Sequence, residues 1–311
     1  MQSPPPELRL RPLRVTELLD SVFSLYRRNF WLFVAIVAVV QVPYQVIDDL
    51  LTLTRPARLP RAAAGHPLTH AQLALTLHDA VLGLGAAAIL LLLIVAAVVP
   101  LQTAAFTKAV SDRFLGRPAS PGSCYRFAVK RWPALFALGL IYLGLFVGAV
   151  VGLSILVALL LLLLGPAGAA IAVLLGLVAL VAGIIFYVRL AVASPALVLE
   201  GCGPWESIRR SWALTSGHAG RALGVLVSLV LVEVLVGILL GIVVGIPAGL
   251  VGINSATGIL IRDLGTLIIG VLVAPILAGG LTLLYFDLRI RKEAFDLELL
   301  SQQLARGPSP S

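Results

Sequence analysis

Six apolar stretches, at 29–47, 80–107, 134–163, 167–189, 221–249 and 264–286, leave this chain few ways to fold. Each approaches or exceeds the ~20 apolar residues that an α-helix needs to cross a hydrocarbon core about 30 Å thick. A soluble fold has nowhere to bury so much apolar surface. Only 12% of the residues are charged and 59% are hydrophobic, whereas about a quarter are charged in an ordinary soluble protein. The expected fold class is therefore all-α: a polytopic membrane bundle of about six transmembrane helices, with amphipathic helices at its cytosolic face. The longer stretches must tilt or kink, and Pro100 is placed to kink the second. Only Gly165-Pro166, a tight-turn dipeptide, separates the third stretch from the fourth, so these two read as a hairpin.

Six crossings put both termini on one side. The N-terminal tail, the loops 108–133 and 189–222, and the C-terminal tail then hold 19 of the 23 Lys and Arg residues. The remaining four, Arg55, Arg58, Arg61 and Arg262, fall in the loops 48–79 and 250–263. Positive charge is retained on the cytoplasmic side, so both termini are expected there, in the cell membrane. The net charge of +8 suits loops facing an anionic leaflet and does not call for nucleic acid. The first thirty residues carry Arg9, Arg11, Arg14, Arg27 and Arg28 among acidic residues, unlike a cleavable signal peptide. Residues 1–14 are Pro- and Arg-rich and read as a disordered cytosolic tail, 15–290 as the transmembrane domain, and 291–311 as a cytosolic helix and tail. Cys124 and Cys202 lie far apart, without the spacing of a disulfide framework or a zinc site.

Three segments with basic and aromatic residues each lead into an apolar hairpin: Thr16–Trp31, Ser120–Trp132 and Gly203–Arg221. This suggests a unit repeated three times. The third segment reads most clearly as a helix. Pro204 suits the first helical position, and Glu206 in the first turn complements the helix dipole. Trp205, Ile208 and Trp212 share one face by spacing. Two tryptophans with neighbouring arginines suit a helix lying in the membrane interface, so Trp205, Arg209, Arg210 and Trp212 are the candidate lipid- or partner-binding residues. Packing of this helix against protein is the other reading.

Glu233 is the one acidic residue deep inside an apolar stretch, about 18 Å along its helix. It should face protein or water, or be protonated. Gly237, Gly241, Gly245 and Gly249 follow in register with it, and Gly144, Gly148 and Gly152 form a second stripe. Both stripes read as helix-packing seams, within one chain or between two. His66, His70 and His78 cluster beside Asp79 in the loop 48–79, and without further ligands they read as a solvated loop rather than a metal site. No P-loop, H-E-x-x-H or G-x-S-x-G occurs. No cofactor and no catalytic residue are expected.

The stretches SPALVLEGCGPWESIRRSWALTSGH (194–218), YFDLRIRKEAFDL (285–297) and TELLDSVFSLYRRNFWLF (16–33) together resemble the glycerophosphoryl diester phosphodiesterase membrane-domain family and related bacterial multi-pass proteins. The resemblance implies the fold and the membrane location. It carries no activity, because this length leaves no room for the family's catalytic barrel. In the second stretch Arg289 with Glu293 and Lys292 with Asp296 are i, i+4 pairs on an expected helix. A non-enzymatic accessory or organising module that binds membrane lipids, or a membrane or cytosolic protein partner, is the leading functional expectation. The alternative is a transporter or permease for a small or lipid-like substrate, with Glu233 in its pathway.

Overall fold

A computed structural model describes residues 13–54, 98–252 and 255–293, and all of their regular structure is helical. Helix α1 (Val15–Arg28) and helix α2 (Phe30–Thr54) meet at a bend of 82°. Asn29 occupies the bend, and its side-chain amide donates to the Leu25 carbonyl at 3.0 Å. That bond satisfies one of the carbonyls a helix end leaves open. Helix α3 is described over 98–114, so most of the second apolar stretch lies outside the described residues. Helices α4 (Pro121–Leu164) and α5 (Pro166–Leu190) come next, then α6 (Ala193–Glu200), α7 (Pro204–Thr215), α8 (Ala219–Val251) and α9 (Ala256–Glu293).

Local chemistry accounts for several boundaries. Ser120 caps α4, accepting from the Ser123 amide at 3.3 Å, and Pro121 takes the first helical position. Gly165 turns the chain with a φ of +54°, where glycine is at ease, and Pro166 opens α5. This is the hairpin expected from the dipeptide. Gly168 packs so closely on α4 that a Cβ there would meet the Leu160 carbonyl. One expectation needs correcting. Ser120–Trp132 is not a separate amphipathic helix, because nothing breaks it from the apolar stretch that begins at Ala134; Pro133 is carried inside α4, which runs about 66 Å without interruption.

Helices α4, α8 and α9, and α5 taken with α6, are each long and apolar enough to cross a membrane; α1 and α2 pass together as a bent fifth. They are not equally covered. None of the most apolar 18-residue window of α4 or α5 is buried, and half of that of α9 is. From Gly144 to Tyr187 the α4–α5 hairpin is mostly exposed, and α8 is mostly exposed beyond Val230. The buried core gathers at the other end. There Leu18 of α1, Ile36 of α2, Ala109 of α3, Cys124 of α4, Leu197 of α6, Leu229 of α8 and Leu284 of α9 are fully closed from solvent. So wide an exposed apolar surface is incompatible with water on all sides. It belongs to a membrane-embedded protein.

Candidate functional site

The core end carries two networks of charge, both built on the last turns of α9. In the first, Glu200 at the end of α6 accepts from Arg210 Nε of α7 at 2.8 Å and from the Tyr285 hydroxyl of α9 at 2.7 Å. Arg210 also donates through Nη2 to Glu293 Oε2 at 2.7 Å, and Arg289 Nε reaches the same oxygen at 3.0 Å. The Arg289–Glu293 pair is the i, i+4 contact expected from the sequence. Lys292 donates to the Ala213 carbonyl, whereas Asp296 lies outside the described residues. Together these bonds tie α6 and α7 to α9. Arg131 of α4 adds a bond to the Gly201 carbonyl at 3.3 Å, where Gly201 ends α6 at a φ of +73°.

In the second network Asp287 of α9 is 1% exposed. Its carboxylate accepts from Arg221 Nε at 2.8 Å, from Arg291 Nε at 3.1 Å and from the Leu13 amide at 3.0 Å. Both arginines also donate to the Leu13 carbonyl, Arg291 at 2.8 Å. A buried carboxylate is tolerated because two guanidinium groups and a backbone donor replace its water. The chain before α1 is thereby held between the start of α8 and the end of α9. Of its partners only Arg291 is local, four positions on; Arg221 and Leu13 lie 66 and 274 positions away, so the sequence alone does not show this junction.

Helix α7 covers the end of α5. Its buried Ser211 donates to the Arg189 carbonyl at 2.7 Å, and its Leu214 and Thr215 are closed off beside it. The opposite face presents Trp205, 59% exposed, Trp212, 44% exposed, and the exposed Arg209. Arg210 does not join that face. Glu200 and Glu293 take its guanidinium inward, away from Trp205, Arg209 and Trp212, with which the sequence groups it as a binding residue. Trp212 lies over the Arg189 guanidinium, 5.3 Å from ring centroid to Cζ, and meets the edge of Phe186 at 6.1 Å. Nε and Nη1 of Arg189 are buried and have no hydrogen-bond partner among the described residues. By sequence Arg189 is only a boundary charge; its place below a tryptophan 23 positions on leaves no local pattern. Nearby Cys202 is half-buried, and burial, then Glu200 and Glu206, push its thiol pKa up.

The other expected residues stand apart from this end. Glu233 is half-buried on α8, with no hydrogen bond or ion pair among the described residues. No described residue comes within 4 Å of a Cβ built at Gly144, Gly148, Gly152, Gly237, Gly241, Gly245 or Gly249. Among the described residues, therefore, neither stripe is closely faced by another helix. Close packing occurs instead on α9, where a Cβ at Gly280 would strike Leu229 and one at Gly265 would strike Val244, both of α8. His66, His70, His78 and Asp79 lie outside the described residues. Among the described residues no group of three or more His, Cys, Asp or Glu could hold a metal. No protein-family model matches the chain, and no curated protein or solved structure is detectably similar to it.

Proposed function

We propose that this is a non-enzymatic membrane module that holds lipid headgroups or a protein partner through the outward face of α7, in an accessory or organising role. The observation that supports it is that face itself: Trp205, Arg209 and Trp212 exposed side by side, on a helix whose other side is fixed to the core. Tryptophan favours the headgroup level of a bilayer, and arginine there faces anionic lipid. On this reading α7 is an amphipathic interfacial helix. The excess of Lys and Arg on the same side supports a cytoplasmic location for this face and for both termini.

Native mass spectrometry of the gently extracted protein tests the reading. Bound lipid or a protein partner should be lost when Trp205→Ala and Arg209→Gln are combined. Unchanged retention would end the assignment to α7. Arg210 is left out of that variant because its replacement would loosen α6, α7 and α9 together. The transporter reading keeps one observation in its favour, the absence of a partner for Glu233 among the described residues. It requires a small solute whose flux is lost in Glu233→Gln.

A further inference from the structure

We propose that Arg189, capped by Trp212, is a binding site for the phosphate of a membrane lipid. The proposal rests on the reading of α7 above and names its ligand. The half-buried guanidinium groups of Arg210, Arg221, Arg289 and Arg291 each face a carboxylate of this chain. Arg131 and Arg113 each reach a backbone carbonyl. Arg189 has neither kind of acceptor among the described residues. Among the described residues its guanidinium contact is the Trp212 ring, and a cation–π contact uses the face of the guanidinium plane. The N–H groups in the plane still need an acceptor, and arginine cannot shed its proton to escape the need.

Phosphate is the acceptor that fits. A guanidinium offers paired N–H groups whose spacing matches two phosphate oxygens. Both forks, Nε with Nη2 and Nη1 with Nη2, share Nη2, the nitrogen that is not closed off. An oxygen arriving at Nη2 with a small outward swing of Trp212 would reach a fork. The position selects a lipid over free phosphate. Arg189 occupies the last turn of α5, and the helix leading to it exposes Leu177, Val181, Ile185 and Phe186. Acyl chains along that surface bring the headgroup to Arg189. Arg209, exposed one turn from Trp212, adds a second positive charge beside it.

The full chain in detergent would be titrated with phosphatidylglycerol or phosphatidylcholine and the bound lipid counted by native mass spectrometry. The wild type should prefer phosphatidylglycerol, and Arg189→Met should reduce that preference about tenfold, as loss of a charge-assisted fork requires. Without lipid, Arg189→Met should melt no lower than the wild type, since it removes an unpaired charge and keeps a stem under Trp212; a merely structural arginine would lower that melting temperature. An unchanged preference in Arg189→Met overturns the site. If Trp205→Ala with Arg209→Gln still abolishes the preference in that case, the α7 reading survives without Arg189. No preference in the wild type removes both. Inorganic phosphate that protects the wild type but not Arg189→Met, with no lipid preference, would make this a free-phosphate site and overturn the lipid assignment. Retention of a protein instead of lipid would do the same. If Arg189→Met fails to fold, Arg189→Lys carries the test: it keeps the charge but not the fork, so the preference should fall about threefold, and no fall would overturn the proposal.

Discussion

Helices α5 and α9 are both long and apolar, and either could cross a membrane. Yet no residue in the most apolar window of α5 is buried, while half of that of α9 is buried against its neighbours. Hydrophobicity does not separate them, because lipid is as apolar as leucine and gives no reason to leave it for protein. What separates them is what else each helix carries. Helix α9 has glycines that admit α8 side chains, at Gly265 and Gly280, and charges that bind it to the chain before α1 and to α6, α7 and α8. Helix α5 packs closely on α4 at Gly168 and also meets α7 and α8, and its single charge, Arg189, sits at the end. Close packing and fixed charge decide which helix becomes the centre of the bundle.

Four changes would break or sharpen that contrast. The largest effect is expected at the charged end of α9. Asp287→Ala leaves Arg221 and Arg291 without their carboxylate and should cost about 3–5 kcal/mol. Unfolding in mixed detergent would measure it, and a cost near zero would remove charge from the explanation. Next comes Gly280→Val, which drives a side chain into Leu229 and should cost about 1–3 kcal/mol. The matching change on the exposed hairpin, Gly148→Val, meets nothing described and should stay within about 0.5 kcal/mol. An equal loss at Gly148 would mean that something covers α4, and cross-linking would show whether it is a second copy.

Glu233→Gln should also stay within about 0.5 kcal/mol, because no described bond depends on the carboxylate. A large loss would place a hidden partner against α8 and narrow its difference from α9. The smallest effect concerns the cysteines. Cys124 is fully buried and should resist alkylation in the folded protein, although the residues around it in sequence are polar and basic. Cys202 should react, but more slowly at pH 8 than a free thiol. Its raised pKa lowers the thiolate fraction there, and the rate should climb as the pH passes the ordinary thiol range. Timed labelling read by intact-mass measurement checks both.

The helices were legible because a crossing helix must be apolar along its whole length, and five of the six stretches reappear as α2, α4, α5, α8 and α9. Gly165-Pro166 was legible because only residues 164–166 lie between two such stretches, and Arg289–Glu293 because its spacing is local. Arg209 and Arg210 were not separable. Consecutive helical positions point about 100° apart, and only the tertiary fold shows that Glu200 and Glu293 wait on one of those directions. The glycine stripes left their partner open for a related reason. Four-residue spacing makes a helix surface approachable, and nothing in the spacing supplies the helix that approaches. Arg189 under Trp212 and Leu13 on Asp287 were invisible because contacts between distant segments leave no period in the chain.

The grip on Leu13 has a consequence in time. Its amide bonds to a carboxylate 274 positions later, and its carbonyl to Arg291, later still. At a translation rate of about 5–20 residues per second, the nascent chain spends roughly 14–55 s extending from one to the other. Throughout that interval α1 has been made but its latch is incomplete: Arg221 arrives earlier, Asp287 and Arg291 only at the end. Membrane insertion must proceed helix by helix with the first of them unsecured, and the last turns of α9 lock the beginning of the chain and its end in one event. A ribosome stalled before Asp287 should therefore leave α1 open to protease even when every earlier span is already in place.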